Sequence, residues 1–129
     1  MHVRTILLSA AFLVAGCGPH HAPEPTLASL ESLPADDLVL AVNNNNWSDV
    51  VIYIVHNGRR NRFLLVTAAR SASVALPARY VSPNGTIQIV AHRIGGNDEY
   101  VSPAVSVRTG HTVALTLESK LVRSTVGVW

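Results

Sequence analysis

From Asp36 to the C-terminus, apolar residues recur at every second position in short runs, and Gly, Pro, Asn or Asp closes each run. Such a period puts successive side chains on opposite faces of a pleated strand, so the segment is expected to fold as half-buried β-strands. Leu38, Leu40 and Val42 share one face of a first strand, and Val50, Ile52 and Ile54 one face of a second. The four asparagines 43–46 between them read as a polar turn. Because Val51, Tyr53 and Val55 make the other face of the second strand apolar too, that strand is expected near the middle of a sheet. Asn57-Gly58 between two strand-like runs is a strong signal for a tight hairpin, with return strand 62–67.

Further strands are expected at 71–76, closed by Pro77, and at 86–94, with Ile87, Ile89 and Ala91 on one face. Segment 99–108 follows, where Pro103 removes a ladder donor and implies an edge or a bulge. Val113, Leu115 and Leu117 then point inward from 111–118, and 121–129 forms a last strand. Seven or eight short antiparallel strands in under a hundred residues predict an all-β fold, a small β-sandwich spanning 36–129. Composition agrees. The chain is 48% apolar, 5% aromatic and 14% charged, so its core rests on Val, Leu, Ile and Ala.

The first residues obey a different logic. One charge at Arg4 precedes an apolar run over 6–15, broken only by Ser9, and small residues follow at Ala15 and Gly16. This is the order of a secretory signal, and the run is half the length a bilayer span requires. Leu13-Val14-Ala15-Gly16-Cys17 resembles the lipobox of bacterial lipoproteins. The resemblance implies cleavage between Gly16 and Cys17, with Cys17 acylated and holding the chain on a membrane. Cys17 is the one cysteine of the sequence, so no disulfide can form within the chain. Gly18 stands where aspartate marks inner-membrane retention in the enterobacterial sorting rule, which implies the periplasmic side of the outer membrane. The expected organisation is therefore a signal peptide at 1–16, a lipidated tether at 17–35, and the sandwich. Three prolines in 18–25 favour extended chain, and leucines 27, 30 and 33 allow two helical turns or more tether.

The hairpin, the Ala75-Leu76-Pro77 stop and the Thr109-Gly110-His111 lead into an alternating strand together resemble transthyretin-like or immunoglobulin-like sandwiches. That resemblance concerns fold; such scaffolds host many roles. The formal charge is +2, and +1 without Arg4, with no basic stripe, so a nucleic-acid partner is not expected. The one basic cluster is Arg59, Arg60 and Arg62, a candidate contact for an acidic partner or a charged guard on a strand edge. His20, His21, His56, His92 and His111 show no metal-ligand spacing, and neither a metal nor a cofactor is expected. No Gly-x-Ser-x-Gly or Ser-x-x-Lys occurs, and acids 36, 37, 49, 98 and 99 fall at strand ends and turns. Trp47, Tyr53, Tyr80, Tyr100 and Trp129 read as core or rim residues. The expectation is a non-catalytic, membrane-anchored domain that docks, scaffolds or helps assemble another envelope component. The alternative is a lipoprotein that binds a small ligand.

Overall fold

The computed structural model describes residues 37–129, so the expected signal peptide, the candidate lipidation site Cys17 and the expected 17–35 tether lie outside the described residues. Nine strands form two packed sheets, with no α-helix among the described residues. They are β1 (Val39–Asn44), β2 (Val50–His56), β3 (Arg59–Val66), β4 (Ser71–Ala75), β5 (Thr86–Arg93), β6 (Glu99–Val101), β7 (Val105–Ser106), β8 (Thr112–Leu117) and β9 (Thr125–Val128). One sheet has the order β4-β1-β8-β9; the other runs β3-β2-β5-β6, with β7 also paired to β5. The expected β-sandwich is present, and β2 lies inside its sheet.

Alternation built the core. Leu40 and Val42, Val50, Ile52 and Ile54, Ile87, Ile89 and Ala91, and Val113, Leu115 and Leu117 all point between the sheets and are buried. Full burial of one such side chain contributes about 1.5–3 kcal/mol, which makes this interior the main source of stability. Asn57 and Gly58 both adopt positive φ, 52° and 71°, as a tight hairpin between right-twisted strands requires.

Several boundaries differ from expectation for identifiable reasons. The 99–108 segment breaks into β6 and β7 at Ser102-Pro103. The Ser102 hydroxyl accepts the Ile89 N–H at 2.8 Å and so replaces a missing ladder acceptor. Strand β3 starts at Arg59 rather than Arg62, because the two-residue turn hands the chain directly into pairing. Residues 121–123 form a 3-10 turn, and the last strand waits until Thr125. One pairing is parallel: β1 lies beside β8, with Leu40 opposite Val113 and Val42 opposite Leu115.

The expected polar turn at 43–46 is instead partly core. Strand β1 continues through Asn44, and Asn44 and Asn46 are buried, 0% and 2% exposed. The Asn44 amide donates to the carbonyls of Ser48, Val66 and Thr67, while its Oδ1 accepts the Asn46 N–H. Asn46 donates to the carbonyls of Glu118 and Ser119. Ile94 N–H donates to the Asp49 carbonyl. These bonds tie the β1–β2, β3–β4, β5–β6 and β8–β9 connections into one end of the sandwich, the apex. The described residues begin at the other end, the base, where Val39 N–H meets the His111 carbonyl and Thr112 N–H meets the Trp129 carbonyl.

Candidate functional site

The sequence-derived candidate begins with the three arginines on β3, an edge strand of the five-stranded sheet. Their orientation follows from a bulge. Ile52 pairs with Leu64 but Tyr53 pairs with Arg62, which leaves Phe63 as an extra residue. Without it Arg60 and Arg62 would share the inward parity of Leu64 and Val66. The bulge turns both arginines to the outward face, opposite Val55 and Tyr53. Phe63 is taken up against the core and meets Tyr80 edge to face, with ring centroids 5.5 Å apart. Arg59 falls on the opposite parity, so the structure brings two of the three arginines onto one face.

Arg60 is committed within the chain. Its guanidinium donates both arms to Glu99 of β6, at 2.6 and 2.9 Å. Since β2 and β5 lie between β3 and β6, this pair spans the outward face of the sheet. Hydrogen bonding to the carboxylate, then its charge, holds the Arg60 guanidinium above its ordinary pKa. His92 Nδ1 stands 3.8 Å from the same carboxylate. On this face Val51 and Val90 are 5% and 1% exposed although they point away from the core. The apolarity of both faces of β2 is thus matched by an outward cluster covered by neighbouring side chains. Leu65 and Val101, exposed at 45% and 48%, extend the same face on strands β3 and β6.

Two further surfaces were not legible as sites. At the apex Trp47, Ile94 and Val122 stand in solvent, from three of the four connections joined there. Trp47 and, at the base, Trp129 are therefore not core residues: Trp47 stands on the β1–β2 connection, and Trp129 follows β9, its backbone paired with Thr112 and its indole exposed. Tyr53, Tyr80 and Tyr100 are half-buried, as rim residues are. Also at the base, Leu38, Leu76, Pro77, Val81 and Val107 line a surface cleft of about 490 Å³ with Asp37 and Arg108 among its walls.

Among the described residues no three His, Cys, Asp or Glu side chains gather in a group that could hold a metal ion. His56 and His111 each bury an Nδ1 atom that has no hydrogen-bond partner among them.

No protein-family model matches the chain, and no curated protein matches it. Among solved structures it is similar to an NMR structure of a protein from Eubacterium rectale, with 10% identity and a TM-score of 0.44, over 73% of this chain and 87% of that one. The fold stated above rests on the strand pairing, and no property of that protein is transferred.

Proposed function

We propose that this chain is a lipoprotein of the bacterial envelope, held on the outer membrane by acylated Cys17, whose sandwich is a non-catalytic domain that docks a protein partner. The likeness to transthyretin-like or immunoglobulin-like sandwiches belongs to the same reading. The observation that carries the docking role is the outward face of the five-stranded sheet. There Leu65 and Val101 stay exposed beside Tyr53, and Arg62 forms no ion pair among the described residues. Exposed aliphatic groups around an aromatic residue and an arginine without an ion pair among the described residues are the composition of a docking patch.

Mass analysis of the native N-terminal peptide, combined with crosslinking in cells from a photoreactive residue at position 65, tests both parts. The expected result is a diacylated Cys17 and one dominant envelope protein crosslinked, with the crosslink lost in an Arg62→Glu variant. An unmodified cysteine in a soluble fraction overturns the anchor; a scatter of weak crosslinks unaffected by Arg62→Glu overturns the docking face. The base cleft supports a second reading, an anchored domain that holds a small apolar ligand beside Leu38 and Val107. Under that reading the extracted protein carries the ligand at one equivalent, and Val107→Trp removes it.

A further inference from the structure

The apex presents its apolar side chains in a way the docking face does not. Trp47, Val122 and Ile94 are 85%, 78% and 48% exposed, and they belong to the β1–β2, β8–β9 and β5–β6 connections. The 121–123 turn packs against β5 and β6, which brings Val122 to the side of the apex where Ile94 stands. Leu121, at 1% exposed, roots that turn in the core, so Val122 projects from a fixed support. Its flanks are basic. Lys120 and Arg123 lie exposed on either side of Val122 and meet no carboxylate among the described residues. The same connection carries one acid, Glu118, half-buried with its N–H donated to the Ser124 hydroxyl, so two cations stand there against one carboxylate; at the β5–β6 connection Asp98 pairs with Arg93.

We propose that the apex is a second membrane contact, in which Trp47, Val122 and Ile94 enter the headgroup region of an anionic bilayer while Lys120 and Arg123 meet its phosphates. Three features select a lipid surface over an acidic protein. The apolar side chains sit on separate loop tips and line no groove, whereas protein hot spots seat into packed pockets. A bilayer accepts projecting side chains at any spacing, and an indole is at home at the headgroup level. Two exposed cations without an ion pair among the described residues flank the apolar tip, where phosphates of an anionic surface would lie.

Chain length allows the contact on the bilayer that carries the anchor. The described fold starts at the base, and residues 17–36 reach up to roughly 70 Å when extended. The eight residues of β3 rise only about 27 Å, so a tethered domain can invert and set its apex on the same membrane. This proposal goes beyond the docking reading and does not depend on the outward face.

The two tryptophans lie at opposite ends, so a Trp129→Phe variant leaves Trp47 as the sole indole reporter. The full-length protein bearing that substitution is reconstituted with phosphatidylcholine vesicles, or with vesicles in which part of the phosphatidylcholine is replaced by phosphatidylglycerol. Flotation reads the anchor; emission reads the apex. On the anionic vesicles Trp47 emission is expected to shift to the blue, with several-fold weaker acrylamide quenching and strong quenching by lipids brominated near the headgroup. High salt and the exposed double change Lys120→Glu, Arg123→Glu should both reverse the shift while flotation persists. Trp47 emission that stays solvent-like on anionic vesicles overturns the proposal, as does a shift indifferent to salt and to the charge reversal. Loss of flotation with the phosphatidylcholine vesicles, with the shift retained on the anionic ones, would count against the Cys17 anchor alone.

Discussion

Replacing Asn44 by alanine should destabilise this domain more than any other single polar-to-alanine change at the apex. Asn44 is wholly buried and its amide serves three carbonyls, with donor-acceptor distances of 3.1, 3.2 and 3.0 Å to Ser48, Val66 and Thr67. Two amide protons are shared among these acceptors, and Oδ1 returns a fourth bond by accepting Asn46 N–H at 3.0 Å. Ser48 and Thr67 can turn toward water once the side chain is gone. The bonds with Val66 and Asn46 are fully buried, so their loss leaves one carbonyl and one N–H without a partner at about 1–3 kcal/mol each. Taking the middle of that range for each gives about 4 kcal/mol. Set against the roughly 5–14 kcal/mol expected for ninety-three residues, that is a large fraction of total stability. At about 4–8 °C per kcal/mol, Tm should fall by roughly 16–32 °C.

Urea unfolding followed by far-UV circular dichroism measures the change, with an unaltered m-value showing that the two states keep their compactness. Two comparisons separate hydrogen bonding from packing. Asn43→Ala removes an exposed side chain whose contact is the Ser71 hydroxyl, and should cost under about 0.5 kcal/mol. Asn44→Asp keeps the shape but aims a carboxylate at three carbonyls, and should cost at least as much as alanine. Equal and small losses for Asn43→Ala and Asn44→Ala, or a tolerated Asn44→Asp, would show that the buried amide does not organise the apex.

Ser102→Ala should cost about 1–3 kcal/mol in the same assay, since it strands the N–H of Ile89, a residue with no exposed surface, whereas the exposed Ser106→Ala on the same outer segment should be silent. Burial raises the Tyr100 pKa above its ordinary value. The folded state therefore holds that proton more tightly than the unfolded chain, and the associated stability is complete below about pH 10 and is lost as pH rises through the folded value. Absorbance titration near 295 nm should show one late-ionising phenol that disappears in Tyr100→Phe; a titration unchanged by that substitution would contradict the assignment.

Local alternation carried most of the fold. It identified the inward sets of β1, β2, β5 and β8 because one face of each faces a core, and the period of two leaves no other register. Asn57-Gly58 was equally readable, since few residues besides these adopt positive φ at low cost. Features that depend on distant chain segments were not. The parallel β1–β8 pair joins residues some seventy positions apart, and neither strand's own pattern names its neighbour. Asn44 and Asn46 look like turn residues in sequence; only the carbonyls that converge from two other connections make them core. The arginine cluster was visible as charge, but which face Arg60 and Arg62 take hangs on the Phe63 bulge, and Glu99 reaches Arg60 from across two strands. Trp47, expected in the core or at its rim, stands in solvent instead, because burial is decided by where the backbone turns.

That exposure and the buried asparagines have one physical origin. Trp47 lies between Asn46, whose side chain is locked to the β8–β9 connection, and Ser48, whose N–H donates to Asn46 and whose carbonyl accepts from Asn44. The most exposed indole of the molecule therefore sits on its most heavily bonded loop. A polar network secures the backbone there, so the large apolar side chain is not needed for packing and can face outward in one fixed position. Rigid presentation lowers the ordering cost of any contact the indole makes. Loosening the network with the milder Asn46→Ser, at a temperature where the domain remains folded, should then weaken Trp47 insertion into anionic vesicles although no lipid-facing residue has changed. An Asn46→Ser protein with full Trp47 insertion would separate the two roles and leave the asparagines as fold determinants only.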